Sequence, residues 1–343
     1  MNNQIKVQES ILDAIKEKLH PGISLVDELA QCLNVSKDSA YRRLRGEKLL
    51  DIAEVGKLVE RYQLSLDQLM SSDRTKVTFN IRPIDNENFT FDKYLDSILA
   101  NLSLMTQIEN KELYYSARDL PIFHYFQFEE LSAFKIFFWT KNYLIGESQL
   151  GSEFSLSNLP PALSAMVNTG KKICDAYFDI PCVEIWTNET TNITLRQIEF
   201  SHDNGILSTE DAIVLCKQYS LLLSHIKVEI QQKQKLKLLD QSSAGAGYQL
   251  YVNEVAIGDN SILFEMNGQR IAFVTYNSIN YLNSSDPHFS ELLKNHFDHS
   301  IQKSTMISGT SEKFRNKFFN VQLKKVDNLV LRLEQAKHSQ IFG

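Results

Sequence analysis

The feature that most constrains the fold is a short segment in which two helices with capping residues are joined by a tight turn. Ser24 is a good N-cap, and Asp27 follows three residues later, as in a capping box. Asn34 stands at the turn, where the backbone is often left-handed and asparagine tolerates that conformation better than most residues. Ser36 then caps a second helix, which Gly46 ends. The pattern predicts two short helices packed against each other across residues 33–36.

The second helix of this pair, which starts at Lys37, separates into an inward face and an outward face. Ala40 and Leu44 are four residues apart and are predicted to face inward. The remaining positions at helical spacing project together to the outside, and they are mostly basic or aromatic: Lys37, Asp38, Tyr41, Arg42 and Arg45.

Further amphipathic segments surround this pair. Residues 5–19 have apolar side chains at helical spacing and end at His20-Pro21, where proline cannot continue a helix. Residues 52–62 predict a fourth helix, and a short fifth begins at Ser65. The first seventy residues therefore predict a five-helix bundle.

The run LVDELAQCLNVSKDSAYRRLRG resembles the helix-turn-helix of Cro/repressor-type (XRE-like) and lac-repressor-type transcriptional regulators. This resemblance implies a small all-helical fold and binding to double-stranded DNA. Two positions depart from the family pattern: Asn34 replaces a glycine, and Arg43 occupies a position that is usually apolar. We expect Arg43 to bury its stem and to place its head at a phosphate.

Positive charge is concentrated in the segment where such a module would meet DNA. The whole chain carries a net charge of −6, whereas residues 36–50 contain five basic and two acidic residues, a local charge of +3. Phosphate neutralisation requires such a patch. In the usual docking geometry the N-terminal half of the recognition helix reaches the base edges, so the predicted base-reading residues are Lys37, Asp38, Tyr41 and Arg42. The predicted phosphate contacts are Arg43, Arg45 and Lys48.

The length of 343 residues exceeds what one core usually supports, so two domains are expected. We assign residues 1–72 to the helix-turn-helix domain, 73–90 to a linker and 91–343 to a sensing and oligomerisation domain. A further boundary near 240–248 stays open because the small-residue run SSAGAGYQ there is typical of a linker.

The fold class predicted for the whole chain is mainly α with a smaller α+β part that contains a small antiparallel sheet. Predicted strands span 248–255, 261–266 and 270–276, and Asn267-Gly268 is a strong hairpin signal between the last two. In the last helix, Phe319, Leu323, Val326, Val330 and Leu333 form one heptad seam. This seam is either a dimer contact or the core face of its own domain.

The sequence contains no motif that predicts catalysis, a cofactor or a metal. Glycine-rich phosphate loops of the GxxxxGK[ST] and GxGxxG types do not occur. His296, Asp298 and His299 lack further predicted ligands and are interpreted as a helix surface, and His124 is interpreted as a core histidine. Widely spaced cysteines, the lack of an apolar leader and the lack of a long apolar run predict a cytoplasmic protein that binds no membrane.

Two hypotheses for function follow. In the first, the protein is a sequence-specific transcriptional regulator, not an enzyme, and its large domain senses a small-molecule or protein effector and forms a homodimer. In the second, the large domain is an enzyme or scaffold that the N-terminal module tethers to DNA or to a partner. A polar pocket with convergent titratable groups would favour the second hypothesis.

Overall fold

The computed structural model describes residues 3–19, 22–62, 64–66, 69, 76–81, 89–143, 150–238, 244–255, 258, 260–276 and 280–342. The chain divides into two compact units, Met1–Thr78 and Phe79–Gly343. The described residues contain twelve helices and nine strands, so the chain is mainly α with an α+β part, as predicted.

The described residues of the N-terminal unit form four helices around one apolar core. Its helices are α1 (Asn3–Lys18), α2 (Leu25–Leu33), α3 (Lys37–Leu44) and α4 (Ile52–Tyr62). Each helix contributes at least one core residue, among them Ile15, Leu29, Ala40 and Leu58, which have no exposed surface. The predicted fifth helix begins at Ser65, and residues 67, 68 and 70 of that segment lie outside the described residues.

The described residues of the C-terminal unit form a sheet of nine strands. In space the strands follow the order β1-β8-β7-β6-β2-β3-β5-β4, and β9 also pairs with β5. Their bounds are β1 (Asn80–Ile81), β2 (Lys111–Ala117), β3 (Cys182–Trp186), β4 (Gln234–Leu236), β5 (Ala244–Val252), β6 (Ser261–Met266), β7 (Gln269–Tyr276), β8 (Asn280–Ser284) and β9 (Thr305–Met306).

Eight helices of this unit pack against the sheet or against one another. They are α5 (Phe91–Thr106), α6 (Ile122–Tyr125), α7 (Glu129–Tyr143), α8 (Pro161–Phe178), α9 (Asn192–Asp203), α10 (Thr209–Gln232), α11 (Pro287–Gln302) and α12 (Glu312–Phe342). Strand residues alternate between two apolar clusters: Tyr115 belongs to the larger one, while its neighbour Tyr114 packs with Phe297 of α11 on the other face.

The sheet is mixed, and the prediction of a small antiparallel sheet was wrong in this respect. The hairpin β6–β7 turns at Asn267-Gly268 as predicted, and both residues have positive φ. However, β2 pairs parallel with β3, and β3 pairs parallel with β5. Parallel strands need long crossover connections, here through helices, so no local turn in the sequence indicates them.

Two segments of the C-terminal unit differ from their sequence interpretations. Residues 244–247, within the small-residue run interpreted as a linker, form the start of β5 and pair with β4. The heptad seam of α12 faces the core of its own unit, where Phe319, Val326 and Leu333 are at most 3% exposed and α12 packs on α10. This seam is therefore a core face and not a dimer contact. Along the described residues, no helix is long and apolar enough to cross a membrane.

Candidate nucleic-acid interface

The turn between α2 and α3 has the backbone geometry that the sequence predicted. Asn34 adopts φ 55° and ψ 51°, which is left-handed, and the Val35 amide donates to the Ala30 carbonyl over 3.0 Å. The predicted capping box at Ser24 is absent, because the Ser24 side chain makes no capping hydrogen bond. Asp27 instead pairs with Lys37 at the start of α3, at 2.7 Å, and so joins the two helices at the turn.

Both ends of α3 are closed as predicted. The Ser36 hydroxyl accepts a hydrogen bond from the Ser39 amide at 3.2 Å, which satisfies one of the free amides of the first turn. Gly46 follows the helix with φ +71°, and its amide donates to the carbonyl of Arg43 at 3.1 Å. The helix is therefore eight residues long and lies between two defined turns.

Six of the seven predicted DNA-contacting residues are exposed and lie on α3 or directly after it. We call this set the α3 face: Lys37, Asp38, Tyr41, Arg42 and Arg45, together with Lys48 just beyond the helix. Tyr41 is 51% exposed, which is a high value for a large aromatic side chain. Tyr41 therefore has no role in the core.

Arg43, the seventh predicted residue, lies inside the N-terminal unit and is 1% exposed. Its Nε donates to Glu54 of α4 at 3.0 Å, Nη2 pairs with the other oxygen of the same carboxylate, and Nη1 donates to Ser39. The hydrogen bond from Arg43 holds the pKa of Glu54 below its usual value. A guanidinium that is buried and paired in this way cannot reach a phosphate, so its place in the structure favours a structural role over the predicted DNA contact.

Acidic side chains accompany the basic groups of the α3 face. Glu47 lies 3.1 Å from Arg45 and 3.9 Å from Arg42, and Asp27 pairs with Lys37. The hydrogen bond to Asp27 raises the pKa of Lys37, so this lysine stays charged at neutral pH. These pairs are exposed, so each is weak enough for a phosphate or a base edge to replace the carboxylate.

Gln8 of α1 supports the backbone at the end of α3 and in the loop that follows, a role that the sequence did not indicate. It is 4% exposed, and its Nε2 donates to the carbonyls of Arg43 at 2.7 Å and Lys48 at 3.0 Å. Its Oε1 accepts from the Leu50 amide at 2.7 Å. One buried amide thus positions the loop that carries Lys48, although it lies about forty residues away in sequence.

The C-terminal unit contains a buried polar cluster centred on Glu184 of β3. His124 Nε2 lies 2.9 Å from Glu184, and the carboxylate also accepts from Tyr177, Trp186 and Tyr248 at 2.7, 2.7 and 3.0 Å. Burial alone raises the pKa of Glu184, but His124 and the two tyrosine hydroxyls outweigh burial and hold the pKa below its usual value. The interpretation of His124 as a core histidine is confirmed, and every partner of Glu184 named here belongs to the packed interior.

The histidines of α11 behave as the sequence interpretation expected. His296 and His299 are exposed, and Asp298 pairs with Lys294 at 2.6 Å. Within the described part of the chain, no three His, Cys, Asp or Glu side chains are grouped so that they could hold a metal ion.

No family model, no curated protein and no solved structure matches this chain.

Proposed function

We propose that the N-terminal unit is a helix-turn-helix module that binds double-stranded DNA, and that the protein is a sequence-specific transcriptional regulator. The observation that carries this proposal is the α3 face, which collects exposed basic and aromatic side chains on a short helix that follows a left-handed turn. The resemblance of residues 25–46 to Cro/repressor-type modules supports the same function.

The dimensions and chemistry of α3 suit the major groove. An α-helix with its side chains is about 10–12 Å in diameter, which fits the groove width of about 12 Å, and the eight residues of α3 extend roughly 12 Å along its axis. We assign base reading to Lys37, Asp38, Tyr41 and Arg42. An arginine that grips guanine through two hydrogen bonds discriminates against other bases by about 1–3 kcal/mol.

Arg45 and Lys48 are assigned to the DNA backbone. They lie at and beyond the C-terminal end of α3, where the recognition helix of such modules approaches phosphates. The net charge of −6 over the whole chain opposes diffuse binding to DNA, so binding depends on the four exposed basic side chains of the α3 face, to which the buried Arg43 does not add. This distribution favours selective contact over coating of DNA.

We further propose that the regulator acts as a homodimer, because one such module contacts few base pairs and two modules read two half-sites about 34–36 Å apart. The seam of α12 is occupied inside its own unit, so the dimer contact involves another surface. The C-terminal unit is then the part that responds to an effector.

A selection from random double-stranded DNA with the full chain tests the proposal. We expect enrichment of one motif, present as two half-sites, and a footprint that covers both. Recovery of unenriched DNA after repeated rounds, at a salt concentration where binding is retained, would contradict sequence-specific recognition.

A further inference from the structure

A cavity of about 260 Å³ opens in the C-terminal unit at the carboxyl end of β2. Aromatic side chains contribute its apolar surface, among them Phe91 and Trp139. Asp119, which follows β2, and Gln197 of α9 contribute polar groups. Arg118 also lines the cavity, but it already has a partner within the protein, so we assign it no part in binding. An apolar surface with a few convergent polar groups is typical of small-molecule sites.

A second cavity, of about 140 Å³, adjoins the first and is mainly apolar. Its lining includes Ile98 of α5 and Phe264 and Phe273 of the sheet. The two cavities share four lining residues, which are Tyr94, Tyr115, Ile122 and Tyr281. Together they reach the lower part of the range of ligand pockets, about 300–1,000 Å³, and suit an elongated molecule with one polar end.

A pair of tyrosine hydroxyls marks the junction of the two cavities. The hydroxyl oxygens of Tyr115 and Tyr281 lie 3.0 Å apart, and both residues line both cavities. Because the two hydroxyls hydrogen-bond to each other, an apolar chain that passes them displaces fewer hydrogen bonds to water than it would beside two unpaired hydroxyls. The junction therefore admits a ligand whose polar end lies in the first cavity and whose chain lies in the second.

A buried lysine fixes the two polar groups of the first cavity. Lys135 of α7 has no exposed surface, and its Nζ donates to Asp119 Oδ2 at 3.0 Å and to Gln197 Oε1 at 2.8 Å. A buried ammonium must stay paired and hydrogen-bonded, so both contacts are retained. Asp119 and Gln197 thus lie within one hydrogen bond of the same ammonium, and a single small group can contact both.

The two fixed groups offer a ligand one donor and one acceptor. Lys135 uses Oε1 of Gln197, whereas no hydrogen bond among the described residues uses Nε2, which remains a donor. The Asp119 carboxylate accepts from Lys135 and from the Leu120 amide, and its two oxygens have about four acceptor sites, so it can accept again. Its side chain is 18% exposed and lines the cavity, so a ligand can reach it.

This combination of one donor and one acceptor selects an uncharged head group. A carboxylate has no N–H or O–H to donate to Asp119, and an ammonium has no acceptor for Gln197. An alcohol has both on one oxygen, whereas an amide has its donor and its acceptor on two different atoms. The amide therefore matches two protein groups that lie on different elements.

We propose that this double cavity binds a small uncharged amphipathic amide. The amide N–H donates to Asp119, the amide carbonyl accepts from Gln197 Nε2, and the apolar chain passes the two tyrosine hydroxyls to lie between α5 and the sheet. Binding itself does not depend on DNA, whereas a role of the ligand as an effector rests on the proposed function as a regulator.

Calorimetric titration of the full chain with octanamide, octanoate and octylamine tests the choice of head group. The three ligands share one chain length and differ in charge and in hydrogen-bonding groups. Octanamide is expected to bind tightest, by about tenfold or more, because each charged analogue leaves one of the two protein groups without a partner.

Gln197→Glu tests the donor directly. The carboxylate keeps an acceptor for Lys135 but cannot donate to the ligand carbonyl, so octanamide binding is expected to weaken about tenfold, or about 1.4 kcal/mol. The same carboxylate accepts from an ammonium, so the variant is expected to prefer octylamine to octanamide, whereas a structural defect would weaken both alike. Gln231→Glu makes the same change at an exposed position of α10 and is the matched control, with unchanged preference.

A chain-length series of amides from butanamide to decanamide tests the apolar cavity. Ile98→Trp places a larger side chain in that cavity. The variant is expected to prefer a shorter amide than the wild type, a change that mere destabilisation would not produce.

Four outcomes would overturn the proposal: absence of octanamide binding at millimolar concentration, tighter binding of octanoate or octylamine by the wild type, an unchanged head-group preference in Gln197→Glu, or an unchanged length preference in Ile98→Trp. The titrations contain no DNA, so their failure is distinct from a failure of the DNA-binding proposal.

Discussion

The guanidinium of Arg43 on α3 and the carboxylate of Glu54 on α4 form a two-contact ion pair inside the N-terminal unit. Arg43 is 1% exposed and the Glu54 side chain is 14% exposed, so the pair is largely shielded from solvent. The contact ties α3 to α4 from the side opposite the α3 face. Arg42 and Arg43 are adjacent in sequence but differ in their surroundings, since Arg42 is exposed and Arg43 is buried.

The Arg43 pair predicts a large difference in stability between two neighbouring substitutions. Arg43→Ala leaves Glu54 without its partner and is expected to lower the free energy of unfolding of the N-terminal unit by about 3–5 kcal/mol. Arg42→Ala removes an exposed side chain and is expected to change it by less than about 0.5 kcal/mol. Urea unfolding followed by circular dichroism measures both. An Arg43→Ala protein that keeps wild-type stability but loses DNA binding would restore Arg43 as a phosphate contact.

Under the proposed function, Glu47 competes with DNA for the two arginines of the α3 face. Glu47→Gln removes the carboxylate that pairs with Arg42 and Arg45, so we expect DNA affinity to rise about twofold to fivefold, as befits an exposed pair of up to about 1 kcal/mol. Fluorescence anisotropy with the selected DNA at fixed salt measures the change. Glu9→Gln, an exposed substitution on α1, is the matched control. Weaker binding by Glu47→Gln would show that Glu47 assists recognition.

The buried carboxylate of Glu184 makes the free energy of unfolding depend on pH. Folding holds its pKa below the unfolded value of about 4.3, so its contribution is present above that pH and is lost as pH falls through the folded pKa. Glu184→Gln is expected to lower the free energy of unfolding by about 3–5 kcal/mol at pH 7. The glutamine amide group would point an N–H donor at side chains that themselves donate to Glu184.

Denaturant unfolding of the wild type and Glu184→Gln between pH 7 and pH 3 measures this contribution. The difference in unfolding free energy between the two proteins should shrink toward pH 3. Glu334→Gln, an exposed position on α12, should show no such convergence. A difference that stays constant with pH would contradict the assignment of an ionised Glu184.

Local signals explain what the sequence predicted well. The turn at Asn34, the cap at Ser36 and the stop at Gly46 each depend on residues within four positions, and all three appear in the structure. The hairpin at Asn267-Gly268 is local in the same sense.

Distant partners explain what the sequence did not predict. The burial of Arg43 depends on Glu54 in another helix, and the capping role expected of Asp27 is replaced by its pair with Lys37. The parallel pairing of Leu113 with Cys182 joins strands that helices separate in sequence.

The sequence only weakly indicated the buried polar groups of the C-terminal unit. Glu184 is the single charged residue in the strand CVEIW, and a charge within such an apolar strand requires buried partners. Those partners lie on α6, α8 and β5 and cannot be identified from spacing. Lys135 is a comparable case within the helix α7, and only the fold shows that it pairs with Asp119.

The central claim, that α3 reads DNA, is tested most directly by paired double substitutions in a competition gel shift with the selected motif. Arg42→Ala/Arg45→Ala should weaken specific binding about 100-fold, since each lost contact is worth roughly 1.4 kcal/mol, while the circular dichroism spectrum and stability stay unchanged. Lys16→Ala/Lys57→Ala removes two exposed charges of the same sign from α1 and α4 and should weaken binding less than about threefold. Equal losses for the two double variants, or no loss for the first, would contradict recognition through α3.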